Sequence, residues 1–238
     1  TDCSIRSQSR DTNLQPLNDL DLQHVRDNWC SNGLSKEFRL MVSVMLCVGL
    51  RAIEVADIKP VHFAIPKGFN GKTLTGIWIR PDHQCKTKYD INRQVSMPVW
   101  LMESINLYHQ SERYKTRQQL YFMNTGDMNP PAFINKDGDS FTTQSLNTLW
   151  GKLRTAIQEN SNPHFKHKQH DCRATFGAYK LDSLAQVPGL TMLQALETLK
   201  KEMGHKDLDT TMLYLKHHEG NPEKNQIPEI TMNLLENE

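Results

Sequence analysis

Near the C-terminal end of the chain, the stretch EMGHKDLDTTMLYLKHH sets a histidine and a tyrosine nine positions apart, His205 and Tyr214. A lone tyrosine in an apolar helix is ordinarily a half-buried packing residue. A phenol becomes a useful nucleophile only where surrounding positive charge helps it to lose its proton. The sequence supplies such charge elsewhere: Arg51 in GLRAIEVADI, Lys86 in HQCKTKYD, and His170 with Arg173 in HDCRATFGAYKL. His170 and Arg173 stand three apart, which puts both on one face of a helix. Guanidinium groups stay charged and present a fixed fork of donors that suits paired anionic oxygens. Imidazoles can donate hydrogen bonds or move protons. Together these groups suit attack on an anionic ester, provided that the fold brings them to one place.

The elements that would have to do so can be read from the pattern of apolar residues. PLNDLDLQHVRDNW carries Leu22, Val25 and Trp29 at helical spacing. SKEFRLMVSVMLCV is apolar on most sides, which predicts a central helix ending at Gly49. RAIEVADI is a short helix stopped by Pro60. LTGIWIR and INRQVSMP alternate as strands, so PDHQCKTKYD between them is the tip of a hairpin. VWLMESINLYHQSE returns to helical periodicity, NTGDMNPPAFINKDGDS is a loop by composition, and TTQSLNTLWGKLRTAIQEN is a long helix opened by a capping threonine. Three more helices are predicted on HDCRATFGAYKL, TMLQALETLKKEM and LDTTMLYLKHH. In the middle one of these, Met192, Leu196, Leu199 and Met203 form a core face and Gly204 supplies the stop, so that His205 begins a new element. The fold class is mainly α with a small antiparallel sheet.

Composition narrows the functional classes. Hydrophobic residues make up 37% and charged residues 23%, as in a soluble globular protein. The longest apolar run, Leu40 to Leu50, is far short of the roughly 18 residues of a membrane span. Five cysteines without close pairing predict free thiols in a reducing compartment, hence a cytoplasmic location. The net charge of +1 is weak support for a nucleic-acid partner, but charge is unevenly placed: His164 to Arg173 contains no acid except Asp171. His164, His167 and His170 recur at threes, yet no carboxylate or cysteine stands at metal-ligand spacing, and no metal or cofactor is expected.

With these residues in hand, the chain resembles the catalytic domain of the tyrosine recombinases, the phage-integrase-like enzymes. The resemblance runs from about Leu17 to His217. GLRAIEVADI is similar to the family's first arginine box, with Glu54 three places after Arg51. HDCRATFGAYKL is similar to its His-x-x-Arg box, and MGHKDLDTTMLYLKH to its Gly-His box followed by Thr-Thr and the tyrosine. Each box alone is a weak pattern; their order, spacing and predicted contexts together are specific.

The resemblance implies a reaction and a role for each residue. Tyr214 would attack a DNA phosphodiester, forming a 3′-phosphotyrosyl bond and releasing a 5′-hydroxyl, without metal or ATP. Arg51 and Arg173 would meet the charge that builds on the nonbridging oxygens, His205 would donate to another phosphate oxygen, and His170 would bind the phosphate or help take the tyrosine proton. The leaving alkoxide needs an acid, which in the family is a lysine on a β-hairpin; Lys86 in Cys-Lys-Thr matches, with Lys88 as its competitor. Glu54 would support Arg51 by pairing with it. The implied partners are double-stranded DNA and further copies of the chain, as a tetramer on DNA.

Other classes fit the same residues less well. A type IB topoisomerase or a telomere-resolving enzyme uses a similar set, and a silent DNA-binding relative would have lost it. Two departures from the family pattern stand out. Arg173 and His205 are 32 positions apart, more than is common in the family, with LDSLAQVPGL as the expected insertion. The family's usual N-terminal DNA-binding domain does not fit before Pro16, so the chain is expected to be an isolated catalytic domain, 16–217, with weak, salt-sensitive DNA binding. It is flanked by a flexible segment, 1–15, and a tail, 218–238, whose apolar residues Ile227 to Leu235 suit docking on a neighbouring subunit.

Overall fold

The computed structural model describes residues 15–31 and 33–219. The flexible segment and the docking tail expected at the two ends fall almost wholly outside them.

The first helix, α1 (Asp19–Asn28), starts at Asn18, whose side chain accepts from the Asp21 N–H at 2.9 Å. It buries Leu22 and Val25. α2 (Lys36–Val48) is buried on nearly every side, from Phe38 through Val48, and forms the axis of the main core, as its apolar sequence predicts. It stops at Gly49, whose φ of 68° is left-handed. A Cβ there would lie 2.2 Å from the Phe176 ring, so both conformation and space call for glycine. The short α3 (Ala52–Asp57) follows at once, with Arg51 as its N-terminal flanking residue.

β1 (Thr73–Ile79) and β2 (Arg93–Pro98) pair antiparallel, with Ile77 opposite Val95 and Ile79 opposite Arg93. The register slips between Leu74 and Ile77, around Gly76 at φ 77°. The hairpin tip contains two single 3₁₀ turns, Pro81–His83 and Lys88–Asp90, with positive φ at Gln84, Tyr89 and Asp90.

α4 (Val99–Gln110) is followed after one residue by α5 (Glu112–Thr125). The apolar pattern does not reveal α5, because one of its three buried residues is charged: Tyr114, Arg117 and Tyr121 face inward, and Arg117 pairs with the fully buried Glu37 of α2 at 2.7 Å. Ser111 caps it by accepting from the Tyr114 N–H.

α6 (Thr143–Asn160) is capped by Thr142, as its sequence predicts. α7 (Asp171–Ala185) runs on through Leu181–Ala185, so the first half of the expected insertion lengthens a helix, and only a short turn around Gly189 separates it from α8 (Met192–Met203). α9 (Leu208–Glu219) closes the described chain. α7, α8 and α9 share a second core of Phe176, Leu181, Leu196, Leu199, Met203 and Tyr214. α7 also packs against α2, which joins the two cores. Among the described residues no helix is long and apolar enough to cross a membrane.

Candidate active site

The three boxes, 163 positions apart from Arg51 to Tyr214, meet where the start of α3, the start of α7, the end of α8 and α9 converge. Arg51 precedes α3. Its backbone N–H donates to Glu54 Oε2 at 2.6 Å, its Nη1 lies 3.3 Å from Glu54 Oε1, and its Nη2 donates to the Gly204 carbonyl at 3.1 Å. Arg173, on the first turn of α7, is 3% exposed and donates from Nη1 to the Gly49 carbonyl and from Nη2 to the Met203 carbonyl. The two helix-ending glycines therefore leave carbonyls that hold the two arginines. Burial, and then the neighbouring charges of Arg51 and Arg93, lower the pKa of Arg173 to about 9, which keeps it charged at neutral pH.

Gly204, at φ 61°, ends α8 and releases His205 into the gap before α9. A hydrogen bond of 2.9 Å joins His205 Nδ1 and Thr211 Oγ1, and the His205 ring stacks on that of Tyr214, with centroids 6.1 Å apart and planes 11° apart. Burial and the charges of Arg173, Arg51 and Arg93 push the His205 pKa down to about 3, so the imidazole is neutral at working pH and its N–H is a donor without charge. Tyr214 is 3% exposed. Its ring lies over Gly177, one turn beyond Arg173, where a Cβ would come within 2.4 Å of Tyr214 Cε1. Burial raises its pKa to about 12, opposed by the charges of Arg173 and Arg51. His170 is exposed at the start of α7, and the protein around it, then the charges of Arg173 and Arg51, lower its pKa.

Five of the six predicted catalytic residues, Arg51, His170, Arg173, His205 and Tyr214, thus share one electrostatic neighbourhood. Glu54 is wholly buried beneath it and touches Arg51. Lys86 is not brought in. It is 77% exposed, with its backbone N–H donating to Asp57 Oδ2 at 2.7 Å and its Nζ 3.9 Å from Asp57 Oδ1. Lys88, two residues on, holds its Nζ 5.0 Å from the centre of the Tyr89 ring.

The sequence reading missed Arg93. Its guanidinium forms a two-pronged pair with Glu54, at 2.7 and 2.6 Å, and its Nε donates to the Glu202 carbonyl at 2.9 Å. The available signal was strand alternation: Arg93, Val95 and Met97 share the buried face of β2. Among the described residues no three His, Cys, Asp or Glu side chains are grouped to hold a metal ion. His167, from the histidine run, sits instead between Asp21 and Asp171, at 3.1 and 3.3 Å.

No protein-family model matches the chain, and no curated protein matches it in sequence. Solved structures do match in fold. The XerH site-specific recombinase, in a pre-cleavage complex with its difH substrate, is 20% identical with a TM-score of 0.59, over 89% of this chain and 55% of that one. The XerA recombinase is 16% identical with a TM-score of 0.54, over 89% of this chain and 65% of that one. The Tn1549 transposon integrase, in complex with circular intermediate DNA, is 15% identical with a TM-score of 0.52, over 89% and 66%. The chain spans little more than half the length of the XerH recombinase. The helical frame, the two-stranded hairpin and these likenesses agree: the chain has the catalytic-domain fold of the tyrosine recombinases.

Proposed function

We propose that this chain is the catalytic domain of a site-specific DNA recombinase that cuts and rejoins strands through a 3′-phosphotyrosyl intermediate. The observation that carries the proposal is the meeting of Arg51 and Arg173 with Tyr214 and His205 across a fold whose solved relatives are recombinases and an integrase. The Tyr214 oxygen attacks phosphorus, the bond from phosphorus to the 5′ oxygen breaks, and that oxygen takes up a proton from the hairpin lysine. Lys86 and its competitor Lys88 both stand on that hairpin tip. The arginines, charged at neutral pH, and the neutral N–H of His205 meet the charge developing on the nonbridging oxygens, where donors fixed in advance lower the barrier most. Burial keeps Tyr214 protonated in the free protein, so its proton must leave as attack proceeds, with His170 the exposed imidazole beside the site. The bond energy stays in the phosphotyrosyl link, so no ATP is consumed, and a 5′-hydroxyl from a second strand reverses the step. Double-stranded DNA is the partner, with a tetramer of the chain as the recombining assembly.

Incubating the 238-residue chain at low salt with a pool of nicked duplexes of randomised sequence tests this. A covalent protein–DNA adduct is expected that disappears in Tyr214→Phe; an adduct that survives that substitution assigns the nucleophile elsewhere. Strand exchange between the recovered duplexes supports a recombinase, and plasmid relaxation without exchange would assign a type IB topoisomerase-like activity instead.

A further inference from the structure

Arg93 is a fully buried charge at the centre of this site to which the proposed chemistry gives no task. Its side chain is 2% exposed, and Glu54, its partner, is 0% exposed. Each Glu54 oxygen is shared: Oε1 accepts from Arg93 Nη1 at 2.7 Å and lies 3.3 Å from Arg51 Nη1, while Oε2 accepts from Arg93 Nη2 at 2.6 Å and from the Arg51 backbone N–H at 2.6 Å. The third Arg93 donor, Nε, goes to the carbonyl of Glu202, two residues before Gly204 and three before His205. Gly204 in turn accepts from Arg51 Nη2. Strand β2 grips the end of α8 at a second point, where the Ser96 N–H donates to Glu202 Oε1 at 3.1 Å. A Cβ on Gly204 would stand 3.0 Å from Arg93 Cδ, so the Arg93 side chain runs close beside the turn. Arg93 therefore closes a ring running from Arg51 through Glu54 and Arg93 to Glu202 and back through Gly204.

We infer that Arg93 is a positioning residue for the proposed cleavage: through Glu54 and the Glu202 carbonyl it fixes the distance between Arg51 and the Gly204–His205 turn, so that both donors reach one phosphate. This rests on the recombinase reading. A planar guanidinium can hold a carboxylate with one edge and a carbonyl with Nε at a fixed angle, which an ammonium cannot. Without it, the start of α3 and the end of α8 are tied by Arg51 to Gly204 and by Arg173 between Gly49 and Met203, contacts made by the very groups that must bind substrate.

The test is single-turnover adduct formation by the wild type, Arg93→Met, Arg93→Lys and the double variant Arg93→Met/Glu54→Gln, at a temperature where circular dichroism shows each folded. DNA affinity is measured alongside by fluorescence anisotropy. Two nicked duplexes are compared, one with oxygen and one with sulfur at the 5′ leaving position, since a thiolate leaves without an acid. Arg93→Met is expected to form adduct roughly 10²-fold more slowly, the scale of a misplaced donor set, on both duplexes and with DNA affinity unchanged. Arg93→Lys should recover part of the rate. The double variant, free of a buried unpaired carboxylate, keeps the test open if Arg93→Met does not fold, and should be slow as well. A folded double variant with the wild-type rate overturns the inference, and so does full rescue of Arg93→Met by sulfur, which would mean that Arg93 serves the leaving-group acid. Absence of adduct from the wild type overturns the recombinase reading itself, a separate result.

Discussion

The clamp at the start of α7 permits a quantitative prediction, because His167 joins two carboxylates from different helices. His167 Nε2 lies 3.1 Å from Asp21 Oδ2 on α1, and Nδ1 lies 3.3 Å from Asp171 Oδ2, the first residue of α7. Burial alone would lower the imidazole pKa, but the hydrogen bonds to Asp171 and Asp21 outweigh it and raise the value from 6.5 to about 9. At roughly 1.4 kcal/mol per unit, that rise corresponds to about 3 kcal/mol of folding free energy. The folded-state value lies above the unfolded one, so the contribution is complete below 6.5 and is lost as pH rises through about 9. His167→Gln, which keeps a polar side chain but no charge, should therefore destabilise the protein by about 3 kcal/mol near pH 6 and by less than about 1 kcal/mol near pH 10. Urea unfolding of both proteins at the two pH values measures this directly. An equal difference at both pH values would show instead that packing, and not the charge of the imidazolium, holds α1 to α7.

Gly177→Ala drives a Cβ to within 2.4 Å of Tyr214 Cε1 and 3.0 Å of Met203 Sδ, and should cost about 1–3 kcal/mol by overpacking; an unchanged melting temperature would mean that the Tyr214 ring does not rest on α7. Glu37 is wholly buried between Arg113 and Arg117; burial opposes its ionisation, and hydrogen bonding and charge from the arginines overcome this and lower its pKa to about 2. Its stabilisation is present above 4.5 and lost as pH falls through about 2, so Glu37→Gln should cost roughly 3–5 kcal/mol at neutral pH and much less in acid melts. Tyr214→Phe should resist alkali better than the wild type. Burial raises the Tyr214 pKa from 10 to about 12, so the wild type loses up to about 2–3 kcal/mol across that interval, read as a gap between the two proteins' urea midpoints that opens above pH 10.

The elements that apolar periodicity can encode were legible in the sequence. α2 declares its central place by being apolar all round, the hairpin by alternation, and the end of α8 by Met203-Gly204. α5 was hidden because its inward face includes Arg117, whose partner Glu37 lies 80 positions earlier, and no local pattern reports such a pair. The length of α7 was hidden because LDSLA, with its polar residues, lies beyond the box that drew attention, although nothing in it opposes a helix. The five residues that the fold brings together, Arg51, His170, Arg173, His205 and Tyr214, were readable as residue types at fixed spacings, since the phosphodiester cleavage proposed for them demands particular donors. Arg93 escaped because a charged residue on a buried strand face is recognised only once Glu54 and the end of α8 are seen to meet it. The hairpin lysine stayed open for a related reason. Lys86 and Lys88 are two apart on a tip of irregular turns, where strand alternation no longer says which side each one faces.

Whether Tyr214 becomes covalently joined to a 3′ phosphate is decided by isolating the adduct formed in the presence of EDTA, digesting protein and DNA, and identifying the linked peptide by mass spectrometry. One linked peptide is expected, carrying the nucleotide on Tyr214 through its 3′ phosphate, with a free 5′-hydroxyl on the departing strand. A nucleotide on another residue, a 5′ linkage, or an adduct that forms only when a divalent metal is restored would contradict it.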